Sequence, residues 1–252
     1  MTSFAFEVPH AHLEDFSDLQ DFHFALSIHC NIKYYREYFR RQSIRGTKQV
    51  WLDNSFNETG KADQIPKLLK IADQIGAHKV VVPDDPNWPI HKIARRFKDI
   101  SKFIPSIRAI VVVNSWLMQQ RLIELGALSF ALSYHVRLPW YHNGGISSYF
   151  EYAKDFHFLG LCNIQELKEL HPPSCDTSVP IKLALQNISL RKWYEDGCPR
   201  VHHKPGENKL SYYDVRMTKK QIELARQNIY NLKMAVNWSP LIVKGVKNGE
   251  EK

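Results

Sequence analysis

Cysteine is scarce in this sequence. Cys30, Cys162, Cys175 and Cys198 are the only four in 252 residues, and no two of them form a C-x-x-C pair. That spacing excludes a disulfide framework and a zinc knuckle, and it fits a reducing, cytoplasmic setting. Apolar runs of membrane-span or signal-peptide length are also missing. The N-terminus carries Glu7, Glu14, Asp15, Asp18 and Asp21 instead, so no membrane partner is expected. No G-x-G-x-x-G or Walker loop follows any strand-like run, which argues against a nucleotide-binding fold, and no cofactor is expected. Acid is in deficit overall: the formal net charge is +8, which points to a polyanionic partner such as nucleic acid. A basic but otherwise ordinary enzyme is the alternative.

What the sequence does have is a repeated pattern of apolar runs that end in a carboxylate. Val50-Trp51-Leu52-Asp53 turns through Asn54 and Ser55; Lys79-Val80-Val81-Val82-Pro83 leads to Asp84 and Asp85; Ser174-Cys175 leads to Asp176-Thr177-Ser178. Each reads as a buried strand delivering an acid to the rim of a sheet. Further strands are expected at Phe24–His29, Arg108–Val113, Ser129–His135 and Phe156–Leu161. Helices are expected between them, at about Ile32–Gln42, Ala62–Ile75, Ile90–Phe103, Trp116–Leu125, Ile146–Ala153, Ile164–Leu170 and Ile181–Trp193. Seven strands alternating with helices, at a period of roughly thirty residues, indicate an α/β fold of the TIM-type (β/α)8 barrel class. The eighth strand comes from Phe4–Val8 or from a segment after Lys209, or the barrel is irregular and incomplete. The chain reads as one domain, 1–252, with an N-terminal arm at 1–22, a loop insertion at 194–215, a closing helix at about Thr218–Val236 and a frayed tail at 244–252.

In such a barrel the carboxyl ends of all strands face one mouth, so Asp53, Asp84 and Asp176 converge. Carboxylates sharing a pocket suit chemistry at an anomeric carbon, one as nucleophile and another as acid and base. Taken singly, each acid is equally well a helix cap or loop anchor. Lys33, Arg36, Arg40 and Arg41, interleaved with Tyr34, Tyr35, Tyr38 and Phe39, suit a nucleic-acid surface or the two faces of an amphipathic helix. Arg191, Lys192, Arg200 and Lys204 are further candidates for phosphate contacts, and Trp88, Trp140 and Tyr141 for stacking on a base or packing in the core. Cys198, His202 and His203, even with Cys162, do not close a tetrahedral site, so no metal is expected.

The stretches Val50–Phe56, Gly76–Asp84, His157–Leu161 and Asp176–Pro180 resemble the tRNA-guanine transglycosylase superfamily, and within it the bacterial and phage branch that inserts 7-deazaguanine bases into DNA. The resemblance implies exchange of a DNA guanine for a base such as preQ0, through a covalent aspartyl-deoxyribosyl intermediate. It implies Asp176 as nucleophile and Asp53 as acid and base, with Asp84, or Asp85 in its place, on the purine edge and Asn54, Phe56 and Gly160 lining the base. The implied partners are the 7-deazaguanine base and DNA whose guanosine is flipped out or single-stranded. A homodimer is compatible with the chain. The implied setting is the host cytoplasm if the chain is phage-encoded, with protection from restriction as the role. Ser55 stands where the family usually has Gly, Asn114-Ser115 where it has Gln-Gly, and the C-x-C-x-x-C zinc module of the tRNA enzymes is absent. A tRNA-guanine transglycosylase without that module, or a noncatalytic nucleic-acid-binding barrel subunit, are the alternatives.

Overall fold

Strand residues with no polar alternation need cover on both faces, and the chain supplies that cover with helices on one side and a filled barrel on the other. The computed structural model describes residues 1–85, 87–133, 137, 156–161, 164–199 and 209–237. Trp140, Tyr141, Cys162, Arg200, His202, His203, Lys204, the expected helix 146–153 and the tail 244–252 lie outside the described residues.

Eight parallel strands form a nearly closed (β/α)8 barrel in the order β1-β8-β7-β6-β5-β4-β3-β2. They are β1 Ser3–Phe6, β2 His23–Leu26, β3 Val50–Asp53, β4 Lys79–Val81, β5 Ala109–Val113, β6 Ser129–Ser133, β7 Phe156–Leu159 and β8 Ser174–Thr177. The sequence Ala109-Ile110-Val111-Val112-Val113 is buried at every position, as a strand covered on both faces must be. The missing strand is the N-terminal one: β1 pairs with β8, placing Ala5 opposite Asp176. Within the stretch 1–22, Ser3–Phe6 therefore stands in the barrel wall. Of the two segments that could supply the eighth strand, Phe4–Val8 is the one that does, over only four residues.

Two expected elements differ from those observed. The strand expected over Phe24–His29 stops at Leu26, because Ser27–Asn31 turns into a 3-10 helix whose first hydroxyl is held by Asp63 at 2.5 Å and Ser55 at 3.1 Å. The helix expected over Ile181–Trp193 is two helices, Val179–Leu185 and Leu190–Glu195. Asn187 breaks it with a left-handed φ of 57°, and Ser189 caps the second helix by accepting the Lys192 N–H at 3.2 Å.

The sheet closes between β1 and β2 without a strand ladder. Asp21 donates its backbone N–H to the Phe4 carbonyl and accepts the Phe4 N–H on its carboxylate, both at 2.8 Å, and Gln20 accepts the Phe6 N–H at 3.2 Å. The long helix Lys219–Asn237 lies across this junction. Its buried Asn228 accepts from Leu190 N at 2.7 Å and donates to the carbonyls of Pro180 and Ile188, while Lys233 reaches Asp21 and Asn237 brackets Thr2. Inside the barrel, Phe22, Phe24 and Trp51 pack around the imidazole of His157, with ring centroids 5.1–5.8 Å from it. This aromatic layer is the floor beneath the mouth.

Candidate active site

Glu7 follows the last residue of β1, Asp176 is the third residue of β8, and the pairing of Phe6 with Thr177 places the two carboxyls side by side. They share a hydrogen bond that raises the Glu7 carboxyl and lowers that of Asp176. Burial and the neighbouring Asp176 charge push the Glu7 carboxyl up to about 7. Burial also raises Asp176, to about 6, against the opposing pull of the Glu7 hydrogen bond, the Gly160 N–H and the Arg137 charge among others. Asp176 accepts from His157 Nε2 at 2.9 Å and from Gly160 N at 3.3 Å. The other imidazole nitrogen, Nδ1, meets Ser174 Oγ at 3.0 Å, and the Nε2–H tautomer satisfies both contacts. Gly160 reaches Asp176 because it takes a left-handed φ of 75° at the end of β7. On the far side Glu7 accepts the Tyr213 hydroxyl at 3.0 Å, and its backbone carbonyl accepts the Tyr212 hydroxyl at 2.7 Å. Ser174, His157, Asp176, Glu7 and Tyr213 thus form one hydrogen-bonded chain from the barrel interior to the mouth.

The opposite side of the mouth is built by β3 and β4. Asp53 is 8% exposed and accepts the Ser55 N–H at 2.7 Å. Burial, then the charges of Glu58, Asp176 and Asp84, lift its pKa well above the ordinary carboxylate range. Asp84 sits at the rim, where burial raises it to about 6 while a 2.7 Å hydrogen bond from Asn54 holds it down. The structure thus brings Asp53, Asp84 and Asp176 into one electrostatic neighbourhood and adds Glu7 and Glu58 to them.

Other expected site residues are otherwise engaged. Asn54 spends both ends of its amide, donating to Val82 O and Asp84 and accepting from Phe56 N, so it positions Asp84. Asp85 caps its own loop by accepting the Asn87 N–H at 2.8 Å. Phe56 opens a short helix, Phe56–Thr59, beside Asp53. Among the described residues, most cations proposed for nucleic acid have partners on their own or a neighbouring element. Lys33 faces Glu37, Arg36 donates to Cys30 O, Arg41 pairs with Glu14, Arg191 with Glu195 and Lys192 with Asp196. Of the interleaved aromatics, Tyr35, Tyr38 and Phe39 are buried against the core, so the helix Lys33–Arg45 is amphipathic rather than a stacking platform. Arg40 stays exposed. Trp88 is covered by Lys92 at 3.8 Å and Arg96 at 5.5 Å. Among the described residues no group of three or more potential ligands is placed to hold a metal.

Ser55 occupies a left-handed conformation, φ 56° and ψ 27°, that favours glycine. Its hydroxyl offsets that strain by bridging β3 to the turn after β2, meeting Ser27 Oγ and accepting Ile28 N–H, each at 3.1 Å. Ser55→Ala keeps the strain and loses the bridge, and we expect it to cost about 1–2 kcal/mol. Ser55→Gly relieves the strain and should lose less, as read from urea denaturation of the two variants. Equal losses would show that the backbone there is unstrained.

Glu7, His157 and Tyr213 escaped the sequence reading. Glu7 carried the same signature as Asp53, an apolar run, Phe4-Ala5-Phe6, ending in an acid. His157 and Tyr213 carried none, because their partners lie 17 or more residues away in sequence.

No family model matches the sequence, and no curated protein sequence matches it. Solved structures do. KGPDC from Streptococcus mutans is 10% identical with a TM-score of 0.55, over 94% of this chain and 99% of that one. N-acetylneuraminate lyase from Mycoplasma synoviae is 10% identical with a TM-score of 0.51, over 94% and 95%. CdNal from Clostridium difficile, in complex with mannosamine, is 8% identical with a TM-score of 0.50, over 88% and 91%. The similarity is one of fold. The resemblance to the transglycosylases does not survive these findings, since no family model supports it and the similar structures lie elsewhere. With it go the glycosyltransferase activity, the exchange of 7-deazaguanine into DNA and the role in protecting phage DNA from restriction. The physical reason is that an apolar strand ending in Asp is what any parallel barrel with acids at its mouth contains, so the three such motifs, at Asp53, Asp84 and Asp176, report the architecture.

Proposed function

We propose that this chain is an acid–base enzyme of lyase or isomerase type, acting on a small, hydrogen-bond-donating substrate that carries hydroxyl or amine groups and no phosphate. The observation that carries this reading is the Glu7–Asp176 pair, one carboxyl protonated and one ionised near neutral pH. Two carboxyls with raised and separated pKa values are an acid and a base held ready in one pocket. Asp176, oriented by His157 and Gly160, removes a proton; Glu7 delivers one, and the proton gained by Asp176 returns to Glu7 across the hydrogen bond the two carboxyls share. Asp53, whose pKa burial and the neighbouring acids raise, is a further acid at the mouth.

The charge of the mouth supports the substrate class. Among the described residues, the acids Glu7, Asp53, Glu58, Asp84 and Asp176 outnumber the cations that act on them most, the half-buried Lys182 and the wholly buried Arg137. Such a field repels anionic groups and favours amines and N–H or O–H donors. No lysine ends any of the described strands; Lys182, beside Glu7, lies in the helix that follows β8. Mannosamine, the ligand in the CdNal structure, is an amine-bearing polyol of the class we have in mind.

The test is solvent proton exchange. Amino sugars and neutral polyols, mannosamine among them, are incubated with the protein in deuterated buffer, and C–H loss is followed by NMR. Exchange that requires Asp176 supports the reading. In parallel, ¹³C-detected titration of the carboxyls should place Glu7 near neutrality, and an ordinary titration below about pH 5 for both Glu7 and Asp176 would remove its basis.

A further inference from the structure

The barrel also opens on the face away from the mouth. A cavity of about 260 Å³ lies at the amino ends of the strands, lined by Ser3 of β1, Phe22 and Gln49 just ahead of β2 and β3, Trp51 of β3, Ser174 of β8, and Asp21. In a (β/α)8 barrel that face ordinarily serves stability. Here Ser3, Asp21, Gln49 and Ser174 give the cavity the polar partners that water needs. Phe22 and Trp51 wall it off from the barrel interior, and both pack on His157, with ring centroids 5.8 and 5.1 Å away. The imidazole therefore lies just behind the inner wall. Strand geometry decides what crosses that wall. Ser174 and Asp176 are two residues apart in β8 and share its inward face, about 7 Å apart along the strand. His157 stands opposite Ser174 in β7, and its ring spans the gap: Nδ1 meets Ser174 Oγ at 3.0 Å and Nε2 meets Asp176 at 2.9 Å. It is the one titratable member of the layer otherwise made of Phe22, Phe24 and Trp51, and it is 1% exposed. Each of its nitrogens meets a group that can both give and take a proton, and the outer of those groups lines the cavity.

We infer that this cavity is a proton port, and that Ser174 and His157 form a wire that equilibrates the buried Glu7–Asp176 pair with water from the back of the barrel while substrate fills the mouth. The steps balance. A hydronium ion in the cavity gives a proton to Ser174 Oγ as the hydroxyl passes its own to His157 Nδ1, and Nε2 passes its proton to Asp176. What remains is a water in the cavity, a neutral Asp176 and an imidazole with its proton on Nδ1; from that state the same hops in reverse carry a proton out. Ser174 and His157 end neutral, as they began, so no charge is stranded in the aromatic layer. The inference extends the acid–base reading above and rests on it for what the proton is used for: the pair returns its proton internally, and the wire is the path by which that proton is exchanged with water. Ser174 and His157 touch no substrate and are positioning residues.

The test needs no substrate. In the full chain labelled with ¹⁵N-histidine, the His157 Nε2–H resonance, assigned by its loss in His157→Gln, reports exchange with water by NMR. Thr and Val share a shape and differ in the hydroxyl. Ser174→Thr should therefore keep the wild-type rate, and Ser174→Val should slow it about tenfold or more, with the two variants melting alike. Ser3→Phe, which fills the port and leaves both relay side chains in place, should slow it too. The inference is overturned if Ser174→Val exchanges as fast as Ser174→Thr, or if Ser3→Phe folds and keeps the wild-type rate. With a substrate that reacts, Ser174→Val should also raise severalfold the share of substrate-derived hydrogen retained in the product, which a purely structural Ser174 would not do, and Ser174→Thr should not; an unchanged share would overturn the wire. Absence of reaction with every substrate would overturn the acid–base reading alone, since the imidazole measurement decides the wire without it.

Discussion

Asp176→Asn is expected to abolish most proton transfer, lowering the exchange rate by about 10²–10⁴-fold, the usual worth of a positioned general base. The amide keeps the shape and can still meet Gly160 and Glu7, so the fold persists and the loss is chemical. Glu7→Gln is the informative companion. In the wild type the productive form has Asp176 ionised and Glu7 protonated, so the rate should follow a narrow bell between about 6 and about 7. Glu7→Gln removes the group that deprotonates on the alkaline side, and the fall above neutrality should disappear while the acid limb stays. A bell unchanged in Glu7→Gln would exclude Glu7 as the acid. The same shift has a consequence for stability. A carboxyl whose folded pKa rises from 4.5 to about 7 binds its proton more tightly when folded. Its contribution is therefore fully present below the unfolded pKa and is lost as pH rises through about 7. With allowance for the part of Glu7 that faces solvent, Glu7→Gln should gain about 2 kcal/mol relative to wild type at pH 8 and little at pH 4. Urea melts at the two pH values would show it.

Arg137→Met is expected to be the most destabilising single change among the described residues, at about 3–5 kcal/mol, because it leaves Glu166 charged, buried and unpaired. Arg137 is fully buried and Glu166 is 1% exposed. The guanidinium meets Glu166 Oε1 at 2.5 Å and donates to the carbonyls of Leu132 and Gly160, each at 2.6 Å, while stacking 4.3 Å over Phe158. It thus ties the ends of β6 and β7 together and fixes the residue whose N–H holds Asp176. For a chain of this size the melting temperature should fall by about 10 °C. The double variant Arg137→Met/Glu166→Leu should recover much of the loss, since two apolar side chains replace the pair without a stranded charge. If the double variant is no more stable than the single one, the carbonyl contacts rather than the ion pair carry the effect. Because the Arg137 charge lowers Asp176, the acid limb of the pH profile should also move upward in the single variant.

The architecture was legible in the sequence because its signals are local. Apolar runs such as Ala109–Val113, helical spacing such as Leu68, Leu69, Ala72 and Ile75, and acids at strand ends such as Asp53 each lie within a few residues. The barrel geometry then required Asp53, Asp84 and Asp176 to converge. Less of the site was legible, because its decisive contacts are distant: Tyr213 lies 206 residues from Glu7, and Ser174 lies 17 from His157. Local composition misled at both ends of the chain. The acids and aromatics at the N-terminus left a four-residue strand as one of two candidates for the eighth, and the polar stretch after Tyr194 hid Tyr212 and Tyr213, both buried against Glu7. The basic helix Lys33–Arg45 misled in another way: its charges drew attention, while its tyrosines were serving the core. The transglycosylase resemblance failed for a related reason, since short strand-end motifs record where a barrel opens and say little of ancestry.

The closure of the sheet through Asp21 and Gln20, clasped by the helix Lys219–Asn237, also sets an order of events. β1 leaves the ribosome first, yet its ladder partner β8 follows about 170 residues later, and Thr2 waits for Asn237. Contacts so far apart in sequence form late in folding, because the loop between them must be closed first. The stretch from β2 to β8 can collapse earlier as an open sheet; the N-terminal strand then inserts as the last stave. Glu7 rides on that stave. The acid of the Glu7–Asp176 pair is therefore absent until the barrel shuts, so an unfinished chain is an inert one.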